Sequence, residues 1–188
     1  MAEAAWDHAG VEDRALVDAV LAGDREAFRL IVERFQGPVY RAGLRVLGSV
    51  ADAEDVAQET FVTAFRSLGS YRGDGPLQAW LVRIATRTAF RRRSQRRQAS
   101  DLAVATGLTS SAPDPLQSAL ADERAAAVRS AVAALDDPYR EVVALRYFGE
   151  LSLDEIATTT GRNLNTIKTQ VRRGLQRLAG AIHPEALS

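Results

Sequence analysis

The sequence predicts an all-α chain: two small helical domains joined by a flexible linker, the second domain a helix-turn-helix. Three observations carry this. Apolar residues recur at helical spacing along most of the chain, with no sustained alternation of apolar and β-branched residues. The stretch from Gln98 to Gln117, QASDLAVATGLTSSAPDPLQ, is rich in Ser, Thr, Ala, Gly and Pro and offers no helical face of useful length. From Leu151 to Leu178, a short helical pattern, a turn at Gly161 and a longer helix follow one another.

In chain order, the pattern predicts helices over Glu12–Leu21, Asp24–Phe35, Pro38–Leu47, Asp52–Leu68 and Leu77–Arg97. After the linker come Leu116–Leu135, Pro138–Phe148, Ser152–Thr160 and Asn163–Leu178. Asp24 and Asp52 read as N-caps and Pro38 as the opening of a first turn, while Gly23, Gly37, Gly48 and Gly69 mark the joins. The expected domains are therefore 10–97 and 118–180, with 98–117 between them.

Composition narrows the function classes. The 188 residues carry 24 basic and 24 acidic side chains, a formal net charge of zero that by itself argues against a nucleic-acid binder. The charges are segregated, however. Residues 1–76 hold thirteen acids and eight arginines, whereas 77–100 hold seven arginines and no acid. No apolar run approaches the roughly 18 residues of a membrane span, and the first residues lack the features of a signal peptide. A cytoplasmic protein is expected. With no cysteine and only His8 and His183, thiol chemistry and a Cys/His zinc site are set aside; no metal and no cofactor are expected.

Three segments carry chemistry. In Asp52–Phe65, DAEDVAQETFVTAF, the carboxylates Asp52, Asp55 and Glu59 fall three and four residues apart on one side of a helix, while Val56, Phe61 and Phe65 need other faces. No nucleophile, phosphate-binding loop or metal-spaced histidine accompanies them, so a docking surface for a basic partner outweighs acid–base catalysis; helix-dipole stabilisation is the plain alternative. In Leu77–Arg97, LQAWLVRIATRTAFRRRSQRR, an inward face of Leu77, Leu81, Ile84, Ala85 and Thr88 leaves Trp80, Arg83, Arg87 and Phe90 towards solvent or a neighbour. Aromatic rings beside guanidinium groups suit unstacked bases; equally, the aromatics pack against adjacent helices and RRRSQRR is a solvated helix end. The preceding loop GSYRGDGP presents Tyr71 and Arg72, either to hold an extruded base or to turn the chain.

The third segment is the last helix. Ile167, Val171, Leu175 and Leu178 gather on one narrow face, and the other side displays Asn165, Thr169, Arg172 and Gln176 flanked by Lys168 and Arg173. From Ile156 to Pro184 there is no acid at all, which a merely solvated helix seldom achieves.

Taken together, DAEDVAQETFVTAF, then AWLVRIATR, the linker, and DPYREVVALRYFGELSLDEIA with NTIKTQVRRGLQRL closely resemble the extracytoplasmic-function sigma factors, small two-domain initiation factors of bacterial RNA polymerase. The resemblance implies a non-enzymatic protein whose partners are core polymerase, through its beta-prime and beta subunits, promoter DNA, and an anti-sigma factor. It implies polymerase docking by Asp52, Glu54, Asp55, Gln58, Glu59 and Phe61. Capture of the minus-ten single strand falls to Tyr71 and Arg72 with Trp80, Arg83, Arg87, Phe90 and Arg91. Reading of the minus-thirty-five element falls to Asn165, Thr166, Lys168, Thr169, Arg172 and Arg173. The linker would thread the channels of polymerase, and no further C-terminal domain is expected. The sequence departs from the family pattern at Asn165, often Gly, and at Arg87 and Arg91, often Asn and Asp, so promoter letters do not transfer. A stand-alone helix-turn-helix regulator is the alternative, and an enzyme using the Asp52–Glu59 carboxylates is a third.

Overall fold

The computed structural model describes residues 3–105 and 119–182. Among these, eight α-helices account for nearly all of the chain: α1 (Glu3–Leu21), α2 (Arg25–Leu47), α3 (Val50–Ser67), α4 (Leu77–Ala105), α5 (Ala119–Ala134), α6 (Tyr139–Tyr147), α7 (Leu153–Thr160) and α8 (Leu164–Ile182). A short 3-10 turn, Leu68–Ser70, follows α3. The first four helices form one bundle and the last four another.

Local chemistry sets several ends. The Asp24 carboxylate accepts the N–H groups of Glu26 (2.8 Å) and Ala27 (3.3 Å), the N-cap expected of it. Gly48 ends α2 in the left-handed region, φ 71°. Asp52 is not a cap: Ser49 takes that position, its hydroxyl accepting from Asp52 N–H at 3.4 Å, so the Asp52 side chain is left free for other work.

Gly37 and Pro38 do not break the second helix. The proline removes one backbone donor, a loss worth about 3 kcal/mol in a helix interior. On both sides of it, Ala27, Ile31, Phe35, Val39, Ala42 and Val46 continue a single buried stripe. Two helices in place of one would interrupt that stripe. Where α2 crosses α3, a Cβ on Gly43 would lie 3.2 Å from Val56 Cγ1, so the small residue sets the approach.

The side chain of Asp13, almost wholly buried, links α1 to the start of α4: its Oδ2 accepts the Leu77 N–H at 3.2 Å, and Arg34 Nη1 stands 3.3 Å from Oδ1. Burial outweighs these partners and raises the Asp13 pKa. Asp13→Ala removes the acceptor at the first turn of α4 and is expected to cost about 1–2 kcal/mol in urea unfolding; Asp13→Asn, which keeps an acceptor, should cost less.

Helix α4 runs on through Gln98 to Ala105, where a linker was expected from Gln98. An established helix propagates readily through Gln, Ala and Leu without needing a buried face. The rest of the expected linker, 106–117, lies outside the described residues.

In the second bundle, Ser152 and Glu155 form a reciprocal cap: Ser152 Oγ accepts Glu155 N–H at 3.1 Å and the Glu155 carboxylate accepts Ser152 N–H at 2.7 Å. Gly161, at φ 68°, ends α7, and Asn163 Oδ1 accepts the Asn165 N–H at 2.8 Å to open α8. The core beneath is Val142, Val143, Leu145, Leu151, Ile156 and Ile167. Leu175 does not join it and stays 39% exposed. Gly174 faces inward instead, so close to α6 that a Cβ there would fall 2.7 Å from Val143 Cγ2. The two bundles share one apolar cluster through α4, which approaches α6 and α7 and contributes Leu81, Val82 and Ala85 to it.

Candidate polymerase and nucleic-acid interfaces

The acidic side of α3 faces α4. Arg92 Nη1 pairs with Asp55 at 3.0 Å and Arg92 Nε with Glu59 at 3.0 Å; Arg91 also bonds Glu59, and Arg96 bonds Asp52. The segment RRRSQRR is therefore not a bare solvated end, because Arg91, Arg92 and Arg96 form a ladder with the carboxylates. Such half-exposed pairs are each worth about 0–1 kcal/mol. The packing of Val46, Val56 and Ala89 close by holds the helices together more firmly. Sequence reasoning missed this pairing, although Asp52, Asp55 and Glu59 at intervals of three and four match Arg92 and Arg96 at an interval of four.

Glu54 and Gln58 point outward, on a stripe continued by Val62 (51% exposed) and Phe65 (52% exposed), whose ring meets Phe28 edge-on at 4.9 Å. Phe61 is buried in the core. It lacks the exposure that the expected docking role requires.

Of the expected single-strand residues, all but Phe90 line one wall of a groove of about 770 Å³ whose other wall is the end of α7. Tyr71 is buried; its hydroxyl donates to the Gly75 carbonyl at 2.6 Å, and burial pushes its pKa up to about 12. Its ring lies 5.8 Å from that of Trp80, which is half-buried. Phe90 packs against Phe148, ring centroids 6.1 Å apart. The aromatics thus find neighbours rather than solvent. Arg72, Arg87 and Arg91 are exposed, while Arg83 is committed: its Nε donates to Glu141 at 2.9 Å and its Nη1 to the Thr159 carbonyl at 2.7 Å.

Glu141 is the residue that sequence reasoning had no means of finding, since it bonds Arg83, 58 positions away, and Arg162, 21 positions away, at 2.7 Å. Burial alone would push its carboxyl up, but the two guanidinium groups more than reverse this and hold the pKa below the ordinary glutamate value. A depressed folded pKa contributes stability above the unfolded value, about 4.3, and loses it as pH falls through the folded one. The stability difference between the wild type and Glu141→Gln should accordingly be constant from pH 7 to 5 and shrink below pH ~4, as urea unfolding across that range would register.

On α8, Asn165, Thr166, Lys168, Arg172 and Arg173 are exposed and Thr169 is half-exposed, its hydroxyl donating to the Asn165 carbonyl at 2.9 Å. All six expected contact residues are thus available on a helix that no acid shares. Among the described residues, no helix is long and apolar enough to cross a membrane.

Among family models, Sigma-70 region 2 matches residues 31–99 and Sigma-70 region 4 matches 125–178. The RNA polymerase sigma-H factor of Pseudomonas aeruginosa is 31% identical over 183 residues, covering 92% of this chain and 95% of the relative. The chain belongs to the extracytoplasmic-function sigma factors. Another relative of this sigma factor is SigW of Bacillus subtilis, 31% identical across 86% of this chain and 92% of the relative. Among solved structures, that of CnrH in complex with the cytosolic domain of CnrY is 25% identical and covers 93% of this chain and 99% of that one, with a TM-score of 0.59. As an alternative sigma factor, the protein acts with core RNA polymerase to start transcription at its own promoters.

Proposed function

We propose a division of labour between the two domains of this sigma factor. The first docks on a basic surface of core polymerase through Glu54 and Gln58 together with Asp52, Asp55 and Glu59, and captures the minus-ten single strand with Arg72, Arg87 and Arg91, backed by Tyr71, Trp80, Arg83 and Phe90. The second places α8 in the major groove at the minus-thirty-five element, with Asn165, Thr166, Lys168, Thr169, Arg172 and Arg173 touching bases and phosphates.

The observation that carries this reading is the acid-free, exposed face of α8 on a capped helix-turn-helix, in a chain whose acidic helix lies in the other domain. Polymerase supplies the catalysis, and this chain performs none of its own. It works in the cytoplasm beside polymerase; by its likeness to CnrH, which was solved with a cytosolic domain, it is held in check by an anti-sigma partner.

Run-off transcription with purified core polymerase on a genomic fragment library tests the reading. Added protein should produce new starts that share two upstream elements; no new starts and no binding to core polymerase would overturn it. Asp55→Ala should weaken core binding severalfold in a pull-down titration while leaving the fold intact, since the Asp55–Arg92 pair is half-exposed.

A further inference from the structure

We infer that a cleft between α4 and the junction of α5 with α6 binds a small polyphosphate anion, held chiefly by Arg87, Arg93 and Arg97. The cleft encloses about 1150 Å³, at the upper end of the range for small-molecule sites. It adjoins the groove described above and shares Arg83, Arg87 and Arg91 with it. Arg93, Arg97 and the far wall of Ser130, Ala133 and Ala134 belong to the cleft alone.

Charge identifies the class of ligand. Eight arginines line the cleft, with only two carboxylates, Asp137 and Glu141. Glu141 serves Arg83 and Arg162 in one clamp, Asp137 serves Arg140, and Glu59 and Asp52 on α3 take Arg91 and Arg96. Eight positive charges thus meet four negative ones, and Arg87, Arg93 and Arg97 have no acid partner among the described residues. Arg93 is the most confined of the three. It is half-buried, its Nη2 donating to the Ser130 hydroxyl at 2.7 Å and its Nη1 to the Val46 carbonyl at 3.5 Å. Burial, and then repulsion from Arg129 and Arg97, pushes its pKa down, as befits a cation without a counter-ion. Nη1 of Arg162, another lining residue, is buried with no hydrogen-bond partner among the described residues.

A single phosphate group brings about 1.5–2 negative charges at neutral pH, too few for the excess, whereas a chain of two or three phosphates matches it. Each guanidinium offers a planar fork of N–H groups to phosphate oxygens. Between Arg87 and Arg97 the helix rises about 15 Å, so an extended anion reaches all three arginines better than a compact one. Across from them, the short side chains of Ala133 and Ala134 leave it room.

Titration calorimetry on the full chain, with inorganic tripolyphosphate and with magnesium-free ATP as probes, tests the site. One tripolyphosphate per chain is expected, with an affinity that falls as salt rises. Equal affinity for ATP would identify the phosphate chain as the recognised group, and tighter ATP a nucleoside polyphosphate; both outcomes support the site. Arg93→Gln and Arg97→Gln should each weaken binding about tenfold, the worth of one charge-assisted hydrogen bond. Arg97 is exposed, so its effect does not pass through the fold, and Arg66→Gln, an exposed arginine of α3 outside the cleft, should change nothing. Ala134→Glu probes the far wall: the position is exposed and glutamate suits a helix, yet the new side chain brings bulk and negative charge into the cleft. Its affinity should fall at least tenfold. Absence of binding by the parent, an equal loss in Arg66→Gln, or undiminished binding by Ala134→Glu overturns the site, the last because α4 would then act as a bare basic helix. A single-stranded oligodeoxynucleotide that binds through the same arginines where neither phosphate probe does would assign the cleft to nucleic acid and overturn it as well. No polymerase takes part, so the outcome stands apart from the division of labour proposed above.

Discussion

Gly174→Ala is expected to destabilise the C-terminal bundle by about 1–3 kcal/mol, the usual cost of overpacking a close contact. The added methyl would sit 2.7 Å from Val143 Cγ2 and 3.6 Å from Tyr139 Cβ, so α8 must move away from α6 or Val143 must leave its place. Val143 is buried on every side and has little room to yield. Alanine is the better helix former, worth up to about 1 kcal/mol in the opposite direction, so a net loss in urea unfolding would isolate the packing cost. Pairing it with Val143→Ala should recover part of the loss, because the second change removes the methyl that clashes. Additive losses in the double variant would mean that the two residues do not meet. Displacement of α8 would also move every proposed base contact at once, so minus-thirty-five binding should fall with stability.

Arg172→Ala is expected to lower promoter affinity by about 1–3 kcal/mol, roughly fivefold to a hundredfold, and to relax sequence preference at one position of the minus-thirty-five element. The side chain is exposed in mid-helix and takes part in no ion pair among the described residues, so its loss should leave thermal stability within ~0.5 kcal/mol of the parent. Binding to core polymerase should be unchanged, since the residue lies on the helix opposite in role to α3. Lys168→Ala makes the informative contrast. If lysine meets a phosphate, affinity falls evenly across sequences and the salt dependence flattens by about one ion. Competition titrations of the two variants with core polymerase on scrambled and intact elements distinguish base reading from phosphate anchoring; loss of core binding by Arg172→Ala would refute the division between domains.

What the sequence discloses depends on how locally each feature is determined. The Asp24 cap, the Ser152 start and the Gly161 stop are readable because a cap involves residues two or three apart. Pro38 misleads for the opposite reason: its local penalty is outweighed by a stripe of buried residues that only tertiary packing assembles. The inward face of α8 was legible in Ile167, Val171 and Leu178, but a hydrophobic pattern rewards large side chains, so it chose Leu175 over Gly174, where close approach of two helices demands no side chain at all. The pattern set Phe61 apart from the carboxylate side, where it does lie; its docking role came only from the family resemblance, and its burial depends on packing that the sequence does not display. The carboxylate ladder was legible in principle from complementary spacings. The Arg83–Glu141–Arg162 clamp was not, because nothing in a linear sequence sets one arginine beside a glutamate in another domain.

The acid-free stretch from Ile156 to Pro184 has a further consequence for how this protein meets a promoter. With a formal net charge of zero, the molecule as a whole feels little net pull from a distant polyanion. Five positive charges from Arg162 to Arg177, set apart from the acid-rich first 76 residues, nevertheless give it an electric dipole. In the field of a duplex such a body experiences a torque rather than a tow. It turns its recognition helix towards DNA only within a screening length or so, about 8–10 Å at cellular salt, and leaves the long-range approach to whatever carries it there.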